Sequence, residues 1–196
     1  MVVGMSVVAM VAGESVDIAD VDERESALRN SSQAAALPRP GTSEGRQLRR
    51  WLTQLLVTER VIAFEAGVAG VSAADARSED EVLPDLTARL EIGSIAAAAL
   101  GDPLARALFA HVTADVDIDA DTVADYHRRN PFRFACGGRV PEFTEVSERI
   151  AAMLRGAARR RAFRIWLEQR RAALVWLAPG YEHPGDPRQP DNTHKH

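Results

Sequence analysis

Between Pro141 and about Arg171, Val146, Ile150, Met153, Leu154, Ala157, Phe163, Ile165, Trp166 and Leu167 supply the apolar faces of one predicted helix. It is roughly thirty residues and about 45 Å long, at 1.5 Å per residue. A rod of that length acts as a spine against which the other elements must pack.

A second strong helix is predicted over Thr42–Ala66, where Leu48, Trp51, Leu52, Leu55, Leu56, Ile62 and Ala63 fall near the i, i+3, i+4, i+7 pattern, with Gly67 as its stop. Upstream, the valine-rich run Ser6–Ala12, a turn at Gly13-Glu14 and the alternating stretch Ser15–Ile18 predict a small β element. Asp20 with Glu23 forms a capping-box pattern at the head of a helix reaching Arg29, and Asn30–Gly41 is a linker. Ser72 with Asp75 predicts a short capped turn, Leu83-Pro84 an interruption, and Ile95–Leu100 an alanine-rich helix. Asp102-Pro103 starts a helix to about Val112, because Asp suits the N-cap and Pro the first helical position. Asp119 caps Thr122–Arg129, which Asn130-Pro131 closes. Leu174–Leu177 is predicted as a closing strand paired with the N-terminal valine run. The fold class is therefore mainly α with a small β element formed by strands near the two ends.

At 196 residues and 46% hydrophobic, the chain can bury a proper core, and we assign 1–178 to a single helical domain and 179–196 to a tail. A net charge of −4 argues against nucleic acid as a partner. Arg155, Arg159, Arg160, Arg161, Arg164, Arg170 and Arg171 are read as a solvated basic face. The single cysteine, Cys136, excludes an intramolecular disulfide and fits a reducing compartment. No apolar run approaches the ~18 residues of a membrane span, so no membrane partner and a soluble, cytoplasmic protein are expected. A homodimer is left open.

The tail, Pro179–His196, contains no aliphatic residue and gathers His183, His194 and His196 with Glu182, Asp186 and Asp191. His194 and His196, alternating in an extended segment, would project to one face. His183 with Asp186 or Asp191 could then complete a nitrogen and oxygen site suited to a divalent metal ion: zinc, iron, manganese or nickel. Tyr181 and Arg188 would orient an oxygen-rich substrate. Elsewhere, His127 beside Tyr126 is the candidate general acid or base. His111 is expected as a cation at a helix C-terminus, Glu65 as solvent-facing and Cys136 as a small packing residue. The Asp115, Asp117 and Asp119 series lacks the glycine and closing glutamate of a calcium loop, so capping and solvation are expected there.

Two resemblances emerge from this order of elements. The run from Val7 to Asp22, the helix from Gln47 to Gly67, and Val123-Ala-Asp-Tyr-His-Arg-Arg-Asn-Pro-Phe-Arg-Phe134 resemble the N-terminal helical domain of SurA and PrsA type chaperones and peptidyl-prolyl isomerases. That resemblance implies a SurA N-terminal-domain-like helical scaffold. Only Cys136–Phe143 stands where those proteins insert an isomerase domain, so isomerase activity is not implied. The whole chain is also similar to small actinobacterial proteins associated with aromatic polyketide gene clusters. A malonyltransferase activity is excluded by the short chain and the lack of a Gly-x-Ser-x-Gly nucleophile motif. Two functions follow as expectations. One is a metal-dependent tailoring enzyme acting on a small aromatic metabolite. The other is a chaperone-like holdase or binding module that grips an apolar protein segment.

Overall fold

Val7–Val11 (β1) and Glu14–Asp17 (β2) form a hairpin whose two-residue loop has φ of 50° at Ala12 and 90° at Gly13. A turn with positive φ at both central residues matches the twist of the flanking strands; glycine adopts it freely and Ala12 at a steric cost. The expected turn at Gly13-Glu14 therefore lies one residue earlier, and Val11 pairs with Glu14 across it. The computed structural model describes residues 6–135 and 139–185. Its sheet has three antiparallel strands in the order β2-β1-β3, with β3 at Val175–Leu177. Val11 pairs with Val175 and Ala9 with Leu177, the expected closure of the N-terminal valine run by a strand near the C-terminus.

β2 hands the chain directly to α1, Ile18–Arg29. Asp17 is its N-cap, and the Asp20 carboxylate accepts the Asp17 N–H at 2.9 Å. Asp20 is thus the partner of the cap and not the cap itself, which stands three residues earlier than expected because the strand ends without a loop. α2 spans Ser43–Ala69. Its Thr42 cap accepts the Gly45 N–H at 3.0 Å and donates to the Arg39 carbonyl at 2.8 Å. A Cβ at Gly45 would lie 2.4 Å from that carbonyl oxygen, so only glycine fits this turn. The helix passes through Gly67 and stops at Gly70, whose φ of 66° forms a left-handed C-cap.

After a 3-10 turn at Ala73–Asp75 come α3 (Glu79–Val82), α4 (Leu86–Ile92), α5 (Ser94–Ala99) and α6 (Pro103–Val112). Asp102 caps α6 at the Leu104 N–H, and Asp119 caps α7 (Ala120–Arg129) at the Thr122 N–H, each at 2.7 Å. α8 runs from Phe143 to Leu174. It starts two residues later than expected because Glu142 is the N-cap, its N–H held by Glu145 at 2.8 Å. It ends three residues later than expected and passes straight into β3.

The longest helix is not the hub of the core. Leu52, Val57 and Val61 of α2 are wholly buried and Ile62 and Ala66 nearly so, packed among the sheet, α5, α6 and the second half of α8. α8 contributes Phe163 and Leu167 to that core, Phe163 lying between Phe109 and Trp166 at 5.2 and 5.4 Å. Its first half packs on α7 in a separate small cluster of Val123, Val146 and Ile150, flanked by Tyr126, Phe134, Phe143 and Leu154.

Candidate functional site

Arg50, Gln54 and Thr58 stand four residues apart on the inner face of α2, all three buried. Charged and amide groups placed there need partners, and the chain end supplies them. Arg50 Nε donates to the Gly180 carbonyl at 3.2 Å and Gln54 Nε2 to the Tyr181 carbonyl at 2.6 Å. From α8, Arg171 donates to Gln54 Oε1 and to Thr58 Oγ1, while the Thr58 hydroxyl donates to the Gln54 carbonyl at 2.8 Å. This network fixes where the chain leaves the sheet and lays its first tail residues on α2.

Arg171 is half-buried, and burial pushes its guanidinium below the ordinary value. Among the described residues it has no carboxylate partner. It opens on a cleft of about 340 Å³ between α2, α5 and α8. Ile92, Ile95, Ala96 and Leu167 form the apolar wall, and Thr58, Ser94, Arg164, Arg171, Glu168 and His183 supply the polar groups. That volume lies in the range of small-molecule sites, and the mixture of an apolar wall with a few convergent polar groups is their usual composition. Ser94 also accepts from Trp51 Nε1 at 3.2 Å, placing an indole at the cleft's edge.

Of the expected metal-ligand set, Glu182 and His183 lie among the described residues; Asp186, Asp191, His194 and His196 lie outside them, as do Arg188 and Cys136. The Glu182 carboxylate accepts the Gly180 N–H at 2.9 Å, and His183 Nδ1 accepts the Gly185 N–H at 3.0 Å. A neutral imidazole that accepts at Nδ1 carries its proton on Nε2, so ligation by His183 requires it to change tautomer or give up this bond. Among the described residues, no three His, Cys, Asp or Glu side chains gather as a metal-holding group.

The other candidates are placed away from the cleft. His127 Nε2 donates to the Pro141 carbonyl at 3.2 Å and its ring lies 5.6 Å from that of Phe143, so it ties α7 to the head of α8. Tyr126 is half-buried against the small cluster. His111 stands in the last turn of α6. Glu65 is not solvent-facing: its side chain is 12% exposed and pairs with Arg170 at 2.6 Å, joining α2 to α8. Asp119 caps α7, and Asp117 pairs with Arg155 at 2.7 Å. A hydrogen bond from Arg155 holds the Asp117 carboxyl below its ordinary value; the Thr122 N–H does the same for Asp119.

Arg171, Gln54 and Thr58 are the residues that sequence reasoning missed. Their signal was present: Phe163, Leu167 and Arg171 are spaced by four, which puts a charge on the buried stripe of α8, and Arg50, Gln54 and Thr58 repeat the pattern on α2.

Residues 7–44 match the model of a family of unknown function, DUF7158. The match covers the hairpin, α1 and the connector into the first turn of α2, and stops short of the cleft. No curated protein and no solved structure matches the chain. Among the described residues no helix is long and apolar enough to cross a membrane.

Proposed function

We propose that this chain acts on a small, acidic aromatic metabolite, held in the cleft between α2, α5 and α8 with its acidic oxygens on Arg171. The observation that carries this reading is a half-buried guanidinium without a carboxylate partner among the described residues, facing an apolar wall. An anionic ligand supplies the missing counter-charge, and Ile92, Ile95 and Leu167 take its rings. The resemblance to proteins of aromatic polyketide clusters points to the same ligand class. The divalent metal ion belongs to this proposal as a group carried by the tail, with His183 at the rim and Glu182, Asp186, Asp191, His194 and His196 as the remaining donors. It would supply Lewis-acid or water-activating chemistry. The role of the described residues is to bind and orient: Arg171 fixes the acidic end, and Gln54 and Thr58 hold Arg171.

Tryptophan fluorescence tests the binding step, since Trp51 touches Ser94 at the cleft. Naphthoate is expected to quench saturably and at least tenfold more tightly than neutral naphthamide. Equal binding of the two, or binding of neither, overturns the reading. Metal analysis of untagged protein, with and without residues 182–196, tests the tail: stoichiometric metal lost on truncation supports it, and metal-free full-length protein removes it.

The second reading, a holdase for apolar protein segments, is favoured by one feature. Leu86 and Leu90 stand a turn apart on α4 and are 69% and 73% exposed. Suppressed aggregation of an unfolded client by the metal-free protein, lost in Leu86→Ser/Leu90→Ser, would support it.

A further inference from the structure

A second cleft of about 210 Å³ opens earlier along α8, lined by Arg77, Glu81, Arg155, Arg159 and Arg160. Four guanidinium groups from two segments thus share one small space. Two of them are neutralised: Arg155 by Asp117 at 2.7 Å and Arg160 by Glu91 at 2.8 Å. Arg77 stands 3.9 Å from Glu81, whose carboxylate is already engaged by the Ser78 N–H and hydroxyl at 2.9 and 3.1 Å. Arg159 has no carboxylate partner among the described residues, and its one hydrogen bond is a long one, 3.4 Å, to the Val116 carbonyl. Burial, together with the like charges of Arg77 and Arg155, lowers the guanidinium of Arg159 from its ordinary value, while Asp117 opposes them.

Three carboxylates, Asp117, Glu91 and Glu81, thus face four guanidiniums, and the excess positive charge falls on Arg159 and Arg77. The floor of the cleft is shaped for a close approach. Gly156 lies inside the 32-residue helix α8, where glycine is about 1 kcal/mol worse than alanine. A Cβ there would meet Arg160 Nη1 at 3.2 Å, so the glycine lets Arg160 lie along the helix and reach the Val82 carbonyl at 3.3 Å. Phe109 and Val82 give the cleft one apolar side.

We propose that this cleft is a binding site for a phosphate group, free or as the phosphate end of an organic ester, with Arg159 as its principal ligand and Arg77 and Arg155 flanking it. A dianion fits better than a carboxylate, because two of the guanidiniums, Arg159 and Arg77, are poorly compensated, and a tetrahedral oxyanion can take forked hydrogen bonds from arginines on different segments. The site is separate from the Arg171 cleft, and its test does not depend on that reading.

Inorganic phosphate and phenyl phosphate are titrated separately into the full chain by calorimetry, in low-salt buffer free of phosphate. At least one is expected to bind saturably at one site per chain. Tighter binding of phenyl phosphate assigns the site to an organic ester; equal binding assigns it to the phosphate group alone. Arg159→Met is expected to weaken binding at least tenfold, whereas Arg161→Met, which removes the same charge from an exposed neighbour, leaves it unchanged. Arg77→Met, which gives up only the long 3.9 Å approach to Glu81, provides an independent loss should Arg159→Met fold poorly. Absence of saturable binding by both ligands, or equal weakening by Arg159→Met and Arg161→Met, overturns the proposal.

Discussion

α8 belongs to two different bodies. Its second half enters the main core, where Phe163 packs on Phe109 of α6 and Leu167 joins the same cluster; its first half rests on α7 through Val123, Val146 and Ile150. The main body is held by wide apolar burial and by polar groups that are themselves buried, Gln54, Thr58 and Arg160 among them. The α7 end is held by a small apolar patch and by exposed ion pairs and caps, such as Asp117 with Arg155, Arg139 with Glu145, and Asp119 at the Thr122 N–H. A single helix does not confer one stability along its length. Local stability follows what each turn is packed against, and the α7 end is expected to open before the rest.

The sharpest way to break this contrast is Phe163→Ala. Removing a fully buried ring that sits between Phe109 and Trp166 should cost about 3–5 kcal/mol and lower the whole denaturation midpoint, read by urea titration. Ile150→Ala, equally buried but in the small cluster, should cost about 2 kcal/mol and show in hydrogen exchange as faster opening of α7 and the head of α8, with β1 and α2 unchanged. Equal global destabilisation by both would show one cooperative unit and remove the distinction. Gly45→Ala should cost about 1–3 kcal/mol within the main body, since its Cβ must displace the Arg39 carbonyl.

Acid should separate the two regions further. Asp117, Asp119 and Glu145 are held below their ordinary values by hydrogen bonds from Arg155, the Thr122 N–H and Arg139. Groups with depressed folded-state values stabilise the fold above their unfolded values, about 3.8 for Asp and 4.5 for Glu, and that contribution is lost as pH falls through the folded values. Among the described residues the main body has two such groups, Glu81, held low by hydrogen bonds from Ser78, and Glu25. Burial pushes the Glu25 carboxyl up, but hydrogen bonds from Arg29 and Arg49 outweigh burial and hold it low. Hydrogen exchange followed as pH falls below about 4.5 should therefore show α7 losing protection ahead of α2. The smallest effect expected is a gain: Ala12→Gly relieves a positive φ in the hairpin and should stabilise the sheet by a few tenths of a kcal/mol, measured by thermal melting.

Much of this architecture was legible from short stretches of sequence. Asp102-Pro103 and Asp119 mark helix starts because a carboxylate beside exposed N–H groups acts within three residues of itself. The closing strand after α8 could be read because Leu174–Leu177 is β-prone and its partner, Val7–Val11, is equally valine-rich. Asp20 was misplaced as a cap because the capping pattern repeats at Asp17, and only strand pairing shows which of the two ends β2. Glu65 was misread because its counter-ion, Arg170, is far along the chain.

The candidate site was much less legible than the helices around it. Histidines and carboxylates in the tail stand out as a composition, whereas the cleft rests on Arg171, one arginine among the seven of residues 155–171. Its distinction comes from contact with Gln54, 117 residues away. Helix and turn formation depend on hydrogen bonds spanning three or four residues, so local sequence carries them. Whether an arginine is solvated or half-buried beside an apolar wall depends on which helices close over it, and that was set only when α2, α5, α8 and the first residues of the tail came together.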